Sequence, residues 1–332
     1  MSAVTPQVTI IIPCYNYGRY VGEAVASALA QDAAPPFEVV VVDDGSTDET
    51  EEVLAGFTDP RLRVIRHPSN RGLLRTLETA LGAAGGTFVA RLDADDRLRP
   101  HFLRTTVPCF AGHPRTGVVW GDVALMDQRG GVTFPRAAGP HGREAFVGNE
   151  FLRLLERNVV PVPGMIARRE CWLELLPIPP VDFVDDWYFT LNMARRWDFH
   201  YLPRVLADYR VHGANQHTSA ARTGREEEAV RAILDAVFAV QEADPELDEA
   251  KRASRRMVYA GHAVQAGEKY FGFDDFGSAR RCYLRALRLD PSSVLRGPVL
   301  RHLAGTLLGQ RGYAAVKAAA RRMSRKHGEA GR

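Results

Sequence analysis

The sequence predicts an α/β fold, a mixed sheet flanked by helices, followed by an all-helical C-terminal region. Three observations carry this. Over the first hundred residues short apolar runs alternate with longer amphipathic ones, as strands interleaved with helices do. The runs Val8 to Ile12 and Val39 to Val42 are unbroken and β-branched, the mark of strands covered on both faces. From about Arg222 onward no strand pattern occurs, and every apolar repeat has helical spacing.

Taken in order, strands are expected at Val8 to Ile12, Val39 to Val42, Leu62 to Ile65 and Phe88 to Leu92. Helices at Val21 to Leu29, Glu49 to Phe57 and Leu73 to Ala83 separate them. Ser46, with Glu49 three places on, has the spacing of a capping box for the second helix. After Pro100 the alternation fades into a helix to about Phe110, a strand over Val118 to Leu125 and a turn at Gln128 to Gly131. A loop rich in Pro and Gly follows from Phe134 to Gly142, either a lid or a connection. Pro163 to Ala167, Phe199 to Leu202 and Val205 to Val211 extend the sheet, with a helix from Asp185 to Trp197 after the first of them.

The domains expected are 1–221, with the sheet, and 222–332, with helices at Glu226 to Ala243, Glu249 to Tyr270, Phe276 to Leu289, Val299 to Leu308 and Tyr313 to Met323. The spacing of Ala279, Cys282, Tyr283, Ala286, Leu287, Leu289 and Pro291 is similar to the second helix of a tetratricopeptide repeat. A single such unit is too few to stack.

Of the 332 residues, 45% are hydrophobic and 25% charged, which excludes wholesale disorder. No apolar run near the start is long enough to cross a bilayer, and no signal-peptide pattern opens the chain, so a cytoplasmic protein is expected. Cys14, Cys109, Cys171 and Cys282 are scattered singly and read as free thiols. A net charge of +3 does not point to nucleic acid. The charge is uneven: from residue 300 onward eight basic residues face the single acid Glu329, so that stretch carries +7 and the rest −4. Contact with an anionic membrane at its inner face, or pairing of two copies through the C-terminal helices, are the partners this implies.

Ligands of open α/β sheets sit beyond the carboxyl ends of the strands. Here those ends read Pro13-Cys14-Tyr15-Asn16, Asp43-Asp44-Gly45-Ser46 and Asp93-Ala94-Asp95-Asp96. Five carboxylates on one edge repel each other, by about 4 kcal/mol for a pair 4 Å apart at an effective dielectric near 20. Something cationic or hydrogen-bonding must lie among them. Asp93 and Asp95, two apart in a turn, suit a hard cation such as Mg²⁺ or Mn²⁺; capping of backbone amides by the same side chains is the alternative. Asp44 offers the acceptor that a uracil or thymine N–H requires.

The strings VTIIIPCYNYGRYVGEAVASALAQ, EVVVVDDGSTDET, NRGLLRTLETALGAAGGTFVARLDADD and VDDWYFTLNMARRWDFHYLPRVLADYRVH resemble, in that order, the family 2 inverting glycosyltransferases with the GT-A fold. The likeness spans about Val8 to His212. It implies transfer of a sugar from a nucleoside-diphosphate donor, a UDP- or dTDP-sugar, onto a glycan or lipid-linked acceptor in surface polysaccharide or glycolipid synthesis. By the same resemblance Pro13, Tyr15 and Asn16 lie along the base and ribose, with Tyr15 suited to stack, and Asp44 reads the pyrimidine. Asp93 sits near the ribose and metal waters, Asp95 binds the divalent ion, and His212 stands near the metal or diphosphate. Asp186, the second of an acidic pair heading a helix, matches the catalytic base, with Asp185 and Trp187 on the acceptor side. Many relatives carry an Arg seven places after the Asn of Asn-x-Gly, where this chain has Leu77 after Asn70; Arg71 or Arg75 is then the candidate cation for the phosphates.

A base at Asp186 also follows from the chemistry. A sugar hydroxyl is a poor nucleophile, and a carboxylate that removes its proton contributes typically 10² to 10⁴ in rate. One carboxylate suffices for inversion. The macrodipole of the helix offers a structural reason for the same acidic pair. Competing readings are a phosphohydrolase of the haloacid dehalogenase type, which places its Asp-x-Asp after the first strand, a nucleotidyltransferase, which has a Gly- and basic-rich loop there, and a non-catalytic module that keeps the nucleotide pocket.

Overall fold

In the computed structural model residues 5–137, 139–179, 184–212, 223–295, 299–309 and 312–313 are described. The chain divides into two compact units, Met1–Ala214 and Asn215–Arg332. The first opens with β1 (Val8–Cys14), α1 (Gly18–Leu29), β2 (Phe37–Asp43), α2 (Thr50–Ala55), β3 (Leu62–Arg66), α3 (Leu73–Ala83) and β4 (Phe88–Arg91). It continues with β5 (Arg97–Leu98), α4 (Phe102–Thr106), β6 (Thr116–Met126), β7 (Val132–Ala137), β8 (Phe146–Gly148) and α5 (Phe151–Glu156). β9 (Met165–Arg168), α6 (Arg169–Leu173), α7 (Asp185–Met193) and β10 (Asp198–Arg210) complete it.

These strands form one mixed sheet in the order β3-β2-β1-β4-β9-β6-β10-β5, with β7 on β6 and β8 on β10. β1 is parallel to β2 and β4, β2 to β3, and β6 to β10. β9 runs antiparallel between β4 and β6. Two reversals cancel, so β1, β2, β3, β4, β6 and β10 all point the same way and end on one edge. Every residue of β1 is buried, as a strand clothed on both faces requires. Val21, Ala24, Val25 and Ala28 of α1 and Leu77, Ala80 and Leu81 of α3 supply the covering stripes. Full burial of each large aliphatic side chain contributes about 1.5–3 kcal/mol.

Several expectations are corrected. Ser46 does not cap α2: that helix starts at Thr50, whose N–H donates to Asp48 Oδ1 at 3.1 Å, while the Ser46 hydroxyl accepts the Asn16 N–H at 2.9 Å. The loop expected from Phe134 begins instead as β7, paired with β6. The two strands expected after Phe199 are one strand, β10, with register shifts between Leu202 and Ala207. β5, β8, α5 and α6 were not expected.

The second unit holds α8 (Arg225–Ala239), α9 (Pro245–Gly272) and α10 (Phe276–Leu289), with further helix over residues 299–309. Asp244 caps α9 by accepting the Glu246 and Leu247 N–H groups, with Pro245 at the first helical position, where its missing donor costs nothing. α9 and α10 pack through Ala260, Ala263, Tyr270, Ala279, Cys282, Tyr283 and Ala286. Apart from Tyr313, the helix expected over Tyr313 to Met323 and the basic residues from Arg311 onward lie outside the described residues. Among the described residues no helix is long and apolar enough to cross a membrane, and all four cysteines are free thiols.

Candidate active site

The shared strand edge carries the residues of interest, beginning with the braced loops after β1 and β2. Asn16, at φ 56°, accepts the Thr47 N–H on Oδ1 at 2.8 Å, and Gly18 donates its N–H to Asp48 Oδ2 at 2.9 Å. Gly45, at φ +72°, has no room for a side chain, since a Cβ there would stand 2.7 Å from Ser69 Cα. Tyr15 projects from this framework 41% exposed, while Pro13 is buried in β1.

Asp44 differs from the expectation of a residue offered to a base. It is 2% exposed and already accepts three protein donors: His67 Nδ1 at 2.6 Å, the Arg71 N–H at 2.9 Å and the Gly72 N–H at 2.8 Å. It therefore orders the loop before α3. Arg71 joins this arrangement through its backbone, with an exposed side chain; Arg75 pairs with Glu78, and Leu77 is fully buried.

The turn after β4 is held from two sides. Arg91, almost fully buried, donates Nε to Asp93 Oδ1 at 2.9 Å and an Nη to Asp185 Oδ2 at 2.5 Å. Burial alone would lower its pKa, but Asp93 and Asp185 outweigh that and raise it, so it stays a cation. On the other side Asp95 Oδ2 meets His212 Nε2 at 2.8 Å. Arg210 donates Nε to the Asp95 carbonyl at 2.6 Å and its backbone N–H to Asp96 Oδ1 at 2.7 Å, and it also binds Glu23 of α1. His212 stacks on Tyr20, ring centroids 5.3 Å apart. Asp96 is 1% exposed and its Oδ2 has no hydrogen-bond partner among the described residues; burial, then Asp95 and Asp93, push its pKa well up. Burial, with Asp95 and Asp185, also raises that of Asp93 despite the Arg91 cation.

Asp185 and Asp186 open α7, as the sequence suggests. Asp186 accepts Asn158 Nδ2 on Oδ2 at 2.9 Å and the Trp187 N–H on Oδ1 at 2.7 Å, which fixes the plane of its carboxylate. Asp185 and Trp187, expected on the acceptor side, are both buried. Asp185 is buried against Arg91, and Trp187 is a core residue, 3% exposed, whose indole N–H donates to the Leu154 carbonyl at 2.6 Å. The pKa of Tyr209 is raised first by burial and then by Asp96, Asp93, Asp95 and Asp186.

Arg91, Arg210, His67 and Asn158 were not singled out from the sequence. Arg91 had a signal: a lone charge inside an apolar strand needs a buried partner. Arg210 stood in the quoted Tyr-Arg-Val-His string. Nothing local marked His67 or Asn158.

Residues 9–148 match the family profile described as Glycosyl transferase family 2. An uncharacterized glycosyltransferase of Nostoc is 32% identical over 233 residues, 67% of this chain and 70% of its own. Among solved structures, S. aureus TarS in complex with UDP-GlcNAc aligns with a TM-score of 0.63 at 19% identity, covering 90% of each chain. The mannosyltransferase PcManGT from Pyrobaculum calidifontis, in complex with GDP-Man and Mn²⁺, aligns at 0.58 and 20% identity over 91% of this chain and 79% of its own. The chain belongs to glycosyltransferase family 2, its catalytic unit has the GT-A fold, and it is an enzyme that transfers sugars. This removes the phosphohydrolase and nucleotidyltransferase readings.

Proposed function

We propose that the enzyme moves a sugar from a nucleoside diphosphate, a UDP- or dTDP-sugar, onto a hydroxyl of a glycan or lipid-linked acceptor with inversion at the anomeric carbon, using Mn²⁺ or Mg²⁺. The observation that carries this is the Arg91 bridge, which joins the Asp93 turn to the helix end bearing Asp186. Donor and base then belong to one site.

Tyr15 and Asn16 lie where a base and ribose would rest on the strand edge, with the exposed Tyr15 ring free to stack. Asp95 and His212 fit a divalent ion: one carboxylate and one imidazole, leaving the remaining positions to water and phosphate oxygens. Among the described residues no larger cluster of ligating side chains exists, so these two are the candidates. When bound there, such an ion would neutralise charge on the departing diphosphate. Arg210 and Tyr20 hold the Asp95 turn and the His212 ring in place. Asp186, its carboxylate plane set by Asn158 and the Trp187 amide, takes the proton of the acceptor hydroxyl as the glycosidic bond forms. A single displacement of this kind inverts the configuration.

The test is release of nucleoside diphosphate from a panel of nucleotide sugars with Mn²⁺. Asp186→Asn is expected to lower kcat by about 10² to 10⁴ with the donor still bound. Full activity of that variant at every pH would remove Asp186 as the base.

A further inference from the structure

A cleft of about 630 Å³ opens between α4 and the middle of β10. Six residues of strand, roughly 20 Å at 3.3 Å each, separate its Arg204 from Arg210 at the donor edge. Arg104 stands on the α4 wall and Arg204 on the β10 wall. Both are exposed, and neither forms an ion pair or side-chain hydrogen bond with a described residue. No carboxylate lines the cleft among the described residues.

The β10 wall is built rather than frayed. The strand's register shifts between Leu202 and Val205 and again before Ala207, so Pro203 and Arg204 form a bulge; bulges of this kind re-aim a side chain. The bulge is clamped from both sides. Its Arg204 carbonyl lies so close over Gly121 that a Cβ there would stand 2.7 Å from it, and His101 Nε2 donates to the Val205 carbonyl at 3.1 Å. Two arginines lining different walls suit a tetrahedral anion, which offers oxygens in several directions, better than a planar carboxylate. Thr105 lines the same cleft, and Leu202 and Pro203 add an apolar wall. The volume exceeds what a bare phosphate fills and lies in the range of pockets that hold small organic ligands.

We propose that this cleft is an accessory site for a phosphate ester, a phosphomonoester or phosphodiester carried on a small polyol or lipid body, separate from the donor site. The test uses calorimetric titration of the full-length chain with glycerol 3-phosphate, UDP and Mn²⁺ being present in excess to fill the donor site, and co-sedimentation with phosphatidylglycerol vesicles against phosphatidylcholine vesicles. Both arms compare the wild type with Arg104→Gln/Arg204→Gln, and with Arg61→Gln/Arg63→Gln, which removes equal charge at the β3 edge. Binding of glycerol 3-phosphate weakened at least tenfold only in the cleft variant supports the site with a soluble ester. Binding confined to phosphatidylglycerol vesicles, with the same loss, supports it with a lipid headgroup. Equal binding by all three proteins, equal loss in both variants, or no binding by the wild type in either arm overturns it.

Discussion

Arg91 and Asp185, 94 residues apart in sequence, meet in the interior with their charged atoms 2.5 Å apart, and the same guanidinium binds Asp93 at 2.9 Å. One cation thus serves two carboxylates from different parts of the chain. Arg91→Met leaves both without it, and breaking a buried pair in this way costs about 3–5 kcal/mol. Urea unfolding is expected to show that loss, with Arg91→Lys intermediate because an ammonium lacks the fork that reaches both acids. Equal stability of all three proteins would contradict the bridge.

Chelation of divalent ions is expected to abolish nucleoside diphosphate release, and Mn²⁺ to restore it. His212→Ala should raise the Mn²⁺ concentration needed by at least ~10-fold, a loss seen even for groups one shell beyond the metal. An unchanged Mn²⁺ titration would place the ion elsewhere.

Gly121→Ala tests the clamp on β10. The new methyl would meet the Arg204 carbonyl at 2.7 Å and Leu206 Cδ1 at 2.7 Å, and the backbone cannot withdraw without breaking the sheet. A cost of about 1–3 kcal/mol is expected from such overpacking, read as a lower thermal midpoint. A neutral result would mean that the bulge yields.

Asp248 links stability of the helical unit to pH. The Glu242 N–H first, then Arg252 and Lys251, hold its carboxyl down at about 2. A depressed acid stabilises the fold fully above the unfolded-state value near 4 and loses that contribution as pH falls toward about 2. Asp248→Asn is expected to lower stability at neutral pH and to flatten the acid limb between those values. Parallel acid limbs in the two proteins would contradict this.

The first half of the sheet was legible because its signals are local. β1, β2 and α3 are spelled by β-branched runs and an apolar repeat that need no distant partner. β10 was misread as two strands because Pro203-Arg204 interrupts its pattern, and only pairing with β6 shows that the interruption is a bulge. Asp48 lies nearer than Ser46 to the start of α2 and takes its amide, a competition that spacing alone does not settle. The acidic turns and the pair at the head of α7 were visible as composition. Their internal partners were not: His67 beneath Asp44 and the burial of Trp187 depend on which way each side chain faces in the assembled core.

The contact between Asp95 and His212 spans 117 positions and closes only when β10, the last strand of its unit in chain order, has taken its place. A ribosome that has delivered the acidic turn but not yet this strand has made a protein without its imidazole. On the proposed reading, in which this pair holds the ion, catalytic competence would arrive late in synthesis, and the appearance of activity would report a completed sheet.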